Sequence, residues 1–114
     1  MPFQFNKGDI FYADFPFEEK SGESKLRTVL VWGTHPNMKE VLVSKITSVI
    51  RGLEWEVSLN PGAHSGIKKQ CVVRVDQARY LPISAFCIPV LGVLNPFETA
   101  VVELCFKKYR KEKT

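Results

Sequence analysis

The sequence predicts a mainly β domain that ends in one α-helix, and two observations support this fold class. Five or six short segments rich in β-branched and aromatic residues alternate with turns that contain Gly, Pro or Asn. The C-terminal segment instead places apolar residues at helical spacing behind a helix-capping sequence. Strands of this number with a single terminal helix are typical of a small, SH3-like, partly open barrel. The length of the chain predicts that residues 1–114 form one domain.

The first three predicted strands come from the N-terminal half of the chain. Asp9–Phe15 is rich in aromatic residues and ends before Pro16, which cannot donate to a strand ladder. Thr28–Trp32 is a short, nearly continuous apolar run, as expected of a buried strand. Glu40–Ile46 follows a turn that contains Gly, Pro and Asn. The polar segment between the first two strands, with Ser-Gly at its centre, predicts a long loop.

Three more strands are predicted in the second half. Glu54–Leu59 alternates between polar and apolar residues, and Gln70–Asp76 follows a second long loop that contains Asn-Pro-Gly and His-Ser-Gly. Ala78–Ala85 is interpreted as a connector with a short helix, and Ile88–Val93 as the sixth strand. Thr47–Arg51, after the third strand, is interpreted as a turn or a short helical piece.

The C-terminal helix has a clear start signal. Asn95 is a favourable N-cap, Pro96 fits the first helical position, and Glu98 completes a capping-box-like pattern. The basic residues in its last turns suit the negative end of the helix dipole. The apolar stripe that the helix is expected to bury consists of Phe97, Ala100, Val101, Leu104 and Cys105.

Composition narrows the class of protein. The three cysteines form no CxxC pair, which argues for reduced thiols and a cytoplasmic location, and against a disulfide framework or a zinc site. The sequence contains no signal peptide and no apolar run long enough to cross a membrane, so no membrane association is expected. The net charge of +4 favours an anionic partner such as a nucleic acid or an acidic protein segment.

Two opposite charges on the fifth predicted strand are the first candidates for a functional site. Arg74 and Asp76 share one face of the strand, about 7 Å apart along it, while the alternate residues point into the core. Such a pair could act on a phosphate ester, or it could be an ion pair on the solvated face of the strand. Arg27 and Thr47 also lie at predicted strand ends, where a solvated flanking residue and a turn-capping hydroxyl are the simpler interpretations.

Five segments in order along the chain resemble the MazF/PemK (Kid) family of toxin endoribonucleases from type II toxin–antitoxin systems. The order and spacing of the segments, with the terminal helix behind them, carry the resemblance. These segments are Lys7-Gly-Asp-Ile, Asp14-Phe-Pro-Phe, Lys25-Leu-Arg27, Ser44-Lys-Ile-Thr47-Ser48 and Val73-Arg74-Val-Asp76-Gln77-Ala-Arg79.

The resemblance implies an SH3-like barrel that forms a homodimer and cleaves single-stranded RNA without a metal ion or other cofactor. It also implies a cognate antitoxin whose acidic, disordered segment covers the RNA groove. Residue by residue, Arg27 and Thr47 match the family's catalytic arginine and hydroxyl, and Arg74 and Asp76 match the charged pair of the PemK branch. The arginines suit charge stabilisation on a phosphoryl group, and Asp76 is the candidate general base.

The remaining candidate residues are expected to bind RNA. Ser48 lies beside Thr47, aromatic residues of the loops would stack on bases, and lysines would follow the RNA backbone. These candidates are Ser48, Phe17, Lys25, His64, Lys68, Lys69, Gln77 and Arg79. For Phe17, burial beneath its loop is an equally acceptable interpretation.

The sequence also departs from the family pattern. Thr28 stands where the family has a proline, which could loosen the backbone at Arg27, and no histidine lies between Asp14 and Arg27, where some PemK-branch members have one.

The barrel alone does not determine the function. CcdB-type toxins share the barrel and bind DNA gyrase without cutting nucleic acid. A gyrase-binding toxin and a catalytically weakened nucleic-acid-binding barrel are therefore the alternative functions.

Overall fold

The computed structural model describes residues 4–16 and 24–112. Phe17, a candidate for base stacking, lies outside these residues. The described chain forms six strands, a short 3-10 helix and one α-helix. Their bounds are β1 Asp9–Pro16, β2 Ser24–Thr34, β3 Glu40–Thr47, β4 Glu56–Leu59, β5 Cys71–Pro82, the 3-10 helix Ile83–Ala85, β6 Phe86–Val93 and α1 Pro96–Glu112.

All strand pairs are antiparallel, and the spatial order of the strands is β4-β5-β3-β2-β1-β6. The sheet is open, because β4 and β6 lie at its two edges and do not pair with each other. The predicted mainly β fold with a C-terminal helix is therefore confirmed.

The centre of the sheet is buried on both faces. Alternate residues of β2 enter different apolar clusters: Leu30 packs in the cluster beneath α1, while Val29 and Val31 pack in the cluster on the other face. Side chains of successive strand residues point to opposite faces, so this division follows directly from the pleat. A strand with both faces buried needs a nearly continuous apolar sequence, which is what Thr28–Trp32 has.

Two strands extend beyond their predicted bounds by more than two residues. β2 begins at Ser24 because Lys25 and Leu26 continue the pairing with β1, so Arg27 lies inside the strand rather than before it. β5 continues to Pro82, and the interpretation of Ala78–Ala85 as a connector is wrong except for the 3-10 helix at its end. Polar residues in this part of β5 resemble a turn in sequence, but pairing with β3 keeps them extended.

Helix α1 has the predicted start but buries a different face. The side chain of Asn95 accepts the N–H of Glu98 at 2.7 Å, and the side chain of Glu98 accepts the N–H of Asn95 at 3.2 Å, so the capping box is formed. The buried residues of the helix are Val102 and Phe106, with Cys105 half-buried beside them. The predicted stripe is therefore wrong for Ala100, which is exposed, and for Phe97, Val101 and Leu104, which are 76%, 40% and 70% exposed. Two apolar ridges run along this helix, and the sheet covers only one of them.

No helix among the described residues is long and apolar enough to span a membrane.

Candidate active site

A groove of about 800 Å³ opens at the end of the sheet where β2, β3 and β5 meet the loop that precedes β5. Six cationic residues line it, together with hydroxyl groups and a few apolar side chains. Within the described part of the chain, no aspartate or glutamate lines this groove. The cations are Arg27, Lys45, Arg51, Lys68, Lys69 and Arg74. This concentration of one charge on a protein of net charge +4 makes the electrostatic potential of the groove positive.

Arg27 and Thr47 are neighbours across two strands. The pairing of β2 with β3 places Thr28 opposite Ile46, and one further step in this register places Arg27 opposite Thr47. Directly opposed residues share a face of the sheet, with Cβ atoms about 5 Å apart. The hydroxyl of Thr47 accepts the N–H of Val49 at 3.1 Å, and a hydroxyl that accepts can still donate to a ligand.

Thr28 does not loosen the backbone beside Arg27. It pairs with Tyr12 of β1 on one side and with Ile46 of β3 on the other, so its strand is held by two ladders. A threonine also supplies the backbone N–H that a proline lacks. Arg27 is therefore fixed at the groove despite the departure from the family pattern.

Arg74 and Asp76 form a bidentate ion pair that is largely removed from solvent. The Arg74 Nε and Nη2 groups donate to the Asp76 Oδ1 and Oδ2 atoms at 2.8 and 2.6 Å. The two side chains are only 11% and 21% exposed, so the pair is not a loose contact on a solvated face. Charge-assisted pairs with this fork geometry fix orientation as well as adding energy.

Only one member of this pair lines the groove. Arg74 is among the lining residues, whereas Asp76 is not. Both carboxylate oxygens of Asp76 accept from the guanidinium of Arg74. The geometry supports a role for Asp76 in orienting Arg74.

An irregularity in β5 shapes this part of the groove. Ser44 of β3 pairs with Ala78, but the next residue, Lys45, pairs with Arg74, so three residues of β5 are left over between the two pairs. The N–H of Val75, within this bulge, donates to the carbonyl of Trp55 at 3.1 Å, which continues the pairing of β5 with β4 by one residue. Bulges re-aim the side chains around them. Gln77, one of the three bulge residues, lines the groove.

The loop before β5 contributes Lys68 and Lys69 to the groove but holds His64 elsewhere. The His64 Nε2 atom lies 2.9 Å from Oε1 of Glu98, at the start of α1. The loop also packs tightly on β6, because a Cβ atom at Gly92 would lie 2.2 Å from the carbonyl carbon of Ser65. The loop is therefore anchored on the helix and on β6, and this anchoring presents its two lysines to the groove.

The structure brings together most of the predicted site residues. Arg27, Thr47 and Arg74 line the groove, and so do residues predicted to bind RNA, namely Ser48, Lys68, Lys69 and Gln77. Lys25, His64 and Arg79 are not among the lining residues. The guanidinium of Arg79 instead lies over the ring of Phe15, with its carbon 5.9 Å from the ring centre.

Two cations of the groove were not identified from the sequence. Lys45 lies two residues before Thr47 on β3, so strand alternation places both on one face and could have indicated it. Arg51 lies in the irregular segment after β3, where no periodicity indicates a direction.

One thiol lies in the groove lining. Burial raises the pKa of this thiol, Cys71, so it stays protonated at neutral pH and is a poor nucleophile. Among residues 4–16 and 24–112, no three His, Cys, Asp or Glu side chains are grouped as metal ligands. The charged and polar side chains of the groove lining present guanidinium, ammonium, hydroxyl and amide groups to a ligand.

Fold and groove together define a small β-sheet protein with a cationic cleft, lined by the arginine of a half-buried arginine–carboxylate pair. Residues 6–109 match the model of the family described as PemK-like, MazF-like toxin of type II toxin–antitoxin system. This match covers most of the chain, so the protein belongs to the PemK/MazF toxin family. No curated protein matches the sequence.

Solved structures of similar fold agree with this membership. MazF (Form-I) from Deinococcus radiodurans superposes with a TM-score of 0.77 at 18% identity, covering 96% of this chain and 99% of the other. The Mycobacterium tuberculosis toxin MazF-mt6 gives a TM-score of 0.71 at 23% identity, with coverages of 90% and 96%. An endoribonuclease in complex with its cognate antitoxin from mycobacterial species gives 0.69 at 13% identity, with coverages of 90% and 90%.

Proposed function

We propose that this protein is the toxin of a type II toxin–antitoxin pair and acts as a sequence-specific, metal-independent endoribonuclease on single-stranded RNA. The observation that carries the proposal is the placement of Arg27, Thr47 and Arg74 together in a groove whose described lining includes six cations and no carboxylate. Family membership supports the same activity.

In the proposed reaction the ribose 2′-oxygen attacks the adjacent phosphorus and the bond to the 5′-oxygen breaks. The products are a 2′,3′-cyclic phosphate and a 5′-hydroxyl, and one proton leaves the 2′-oxygen while another joins the 5′-oxygen. Arg27 and Arg74 stabilise the extra negative charge on the phosphoryl oxygens, because guanidinium groups match their geometry and remain charged. Thr47 donates its hydroxyl to a phosphoryl oxygen or orients the 2′-hydroxyl.

Proteins recognise the bases of single-stranded RNA by stacking on them and by hydrogen bonds to their edges. Ser48 and Gln77 supply hydrogen-bonding groups in the groove, and Lys68 and Lys69 supply backbone contacts. Tyr12 also lines the groove and is 43% exposed, so its ring is available to a base. These residues support recognition of the RNA base sequence as well as of the backbone charge.

The proposed activity predicts RNA cleavage in the presence of EDTA. Purified protein incubated with mixed RNA is expected to give fragments that end in a 2′,3′-cyclic phosphate and begin with a 5′-hydroxyl, mapped by end-specific ligation. A substrate with 2′-deoxyribose at the cut site should resist, because it lacks the nucleophile. Cleavage of the deoxy substrate, or loss of activity with EDTA, would contradict the mechanism. Intact RNA together with inhibited DNA gyrase would favour a binding toxin instead.

We further propose that the protein acts in the cytoplasm as a homodimer, controlled by an antitoxin whose acidic, disordered segment covers the groove. The apolar ridge of α1 formed by Phe97, Val101 and Leu104 is exposed in the single chain and provides a surface for a second copy. The six groove cations provide the surface for an acidic segment.

The homodimer and the binding of an antitoxin can both be tested in solution. Light scattering at micromolar concentration is expected to give twice the mass of the chain. An acidic antitoxin peptide should compete with RNA, and its affinity should fall as salt screens the exposed charges. A monomeric mass would contradict the homodimer, and simultaneous binding of RNA and peptide without mutual weakening would contradict occlusion of the groove.

A further inference from the structure

A second pocket, of about 300 Å³, lies between α1 and the sheet, and we call it the helix-side pocket. Trp32 near the end of β2, Leu42 near the start of β3 and Tyr80 near the end of β5 line it. The groove lies at the other ends of these strands. Trp32 follows Arg27 by five residues, and strands rise about 3.3 Å per residue, so about 17 Å separates the two positions. The helix-side pocket is therefore separate from the groove.

The floor of the helix-side pocket is fixed by the packing of Trp32. The pairing of β2 with β3 skips this residue, so Trp32 is the extra residue of a bulge. Its ring stacks on that of Phe106 with ring centres 4.4 Å apart, and its Nε1 group donates to Oγ of the buried Ser44 at 2.7 Å. Gly33 comes next, and a Cβ atom there would have no heavy atom within 4 Å outside the adjacent residues. The missing side chain at Gly33 therefore leaves the pocket open above a fixed floor.

The charged residues of the helix-side pocket are mainly cations. Within the described part of the chain, the lining includes the cations Lys7, Lys107 and Arg110 and one carboxylate, Glu103. The Lys7 Nζ group donates to the Glu103 Oε2 atom at 2.7 Å. This bond lowers the pKa of the Glu103 carboxyl, and the charge of Lys107 adds to the effect. The excess of positive charge favours an anionic ligand, and the apolar floor favours a ligand that carries a large apolar group.

Glu103 favours an acidic polypeptide over a nucleic acid as this ligand. A carboxylate repels the phosphates of a nucleic acid, whereas it accepts hydrogen bonds from the backbone N–H groups of a peptide. The described lining of the groove, by contrast, contains no carboxylate. The two sites therefore differ in the class of anion that they suit.

The helix-side pocket also stays accessible in the proposed homodimer. Successive helix residues are roughly 100° apart around the axis, which places Glu103 and Arg110 on the side of α1 away from the exposed apolar ridge. A second copy that covers the ridge therefore leaves this side of the helix free for another partner.

We propose that the helix-side pocket is a docking site for the antitoxin, which inserts one large apolar side chain flanked by acidic residues. This inference rests on the proposed toxin–antitoxin function and adds a second attachment point outside the RNA groove. Two sites that bind one flexible chain hold it more tightly than either site alone, because the second binding event is intramolecular. One segment of the antitoxin blocks the groove, and the pocket keeps the antitoxin attached while RNA competes for the groove.

Docking can be measured by NMR with isotope-labelled protein and the synthetic peptide Asp-Glu-Asp-Glu-Phe-Glu-Asp-Glu-Asp. The peptide is expected to shift the signals of the Thr34 amide and the Trp32 indole N–H, and the affinity of the pocket is obtained from these two signals. A peptide with serine in place of phenylalanine keeps the charge but lacks the apolar anchor. It should bind the pocket about tenfold more weakly.

Two pairs of matched variants test the site itself. G33L places a side chain in the open space of the pocket and should weaken peptide binding about tenfold, whereas G33A leaves most of that space free and should bind as the wild type does. K107M should weaken binding about threefold, the effect of one exposed charge pair. K108M, which changes the adjacent lysine outside the lining, should leave binding unchanged. Thermal melts show whether each variant is folded.

Three results would overturn the docking site. They are equal peptide binding by wild type and folded G33L, shifts confined to groove residues such as Lys68 and Lys69, and a single-stranded DNA oligonucleotide that shifts the same pocket signals as the peptide. The last result would make the ligand a nucleic acid. The titration needs no catalysis, so its outcome is independent of RNA cleavage: if the wild type cleaves no RNA, the proposed function is wrong, and the peptide still shows whether the pocket binds an acidic segment.

Discussion

Replacing Arg27 with methionine is expected to lower kcat for RNA cleavage by about 10²–10³, the loss typical of a single charge-stabilising group. Arg27 lines the groove across from Thr47, and its strand is paired on both sides, so its backbone is held in place before substrate binds. Positioned charge of this kind stabilises the transition state without reorganisation. KM should change less than kcat, because other cations of the groove still bind the RNA backbone.

Controls separate this role from a general loss of positive charge. R110M removes one arginine from the exposed end of α1, outside the groove, and should cleave at the wild-type rate. R27K keeps the charge but lacks the planar fork, so we expect an activity between those of R27M and the wild type. Circular dichroism should show the same fold in all variants. If folded R27M cleaves RNA at the wild-type rate, Arg27 has no catalytic role and is only a charge on the protein surface.

The number of strands, the start of the helix and several residues of the candidate site could be predicted from the sequence, because each has a local signal. Short β-branched runs separated by turn residues predict strands, and the Asn95 and Glu98 spacing predicts the capping box. Arg27, Thr47 and Arg74 were identified as site residues because the motifs that contain them resemble those of the MazF/PemK family in order and spacing. Their assembly in one groove depends on strand register, which a single sequence does not specify.

Other features arise only from tertiary pairing. The bulge in β5 between Arg74 and Ala78 has no sequence signature, because its extra residues would fit a turn equally well. The buried face of α1 was ambiguous, since the ridge containing Leu104 and the ridge containing Phe106 both have helical spacing. The sheet decides between them by covering Phe106, which stacks on Trp32 with ring centres 4.4 Å apart. His64 was predicted to stack on an RNA base because its ring lies in one of the two long loops, and no local pattern indicated its pairing with Glu98.

Asp76 provides the second large effect, and the structure suggests how to separate its two candidate roles. Both carboxylate oxygens bind the guanidinium of Arg74, and Asp76 is not among the residues that line the groove. D76N keeps the shape of the side chain but has one acceptor oxygen and no charge. We expect kcat to fall about 100-fold, because a small displacement of a catalytic group costs about this much.

A double-mutant cycle with Arg74 distinguishes a positioning residue from a general base. If Asp76 acts only by orienting Arg74, then D76N should cause no further loss in a protein that already carries R74M, because the two residues act as one unit. If Asp76 removes the proton from the 2′-hydroxyl, D76N should cost as much in R74M as in the wild type, and the fall in rate on the acid side of the pH profile should disappear. Thermal melts of each variant show whether it remains folded, since removing one partner of a largely buried pair also destabilises the protein. The bidentate contact, together with the absence of Asp76 from the residues that line the groove, favours the first result, so we expect complete coupling and a pH profile of unchanged shape.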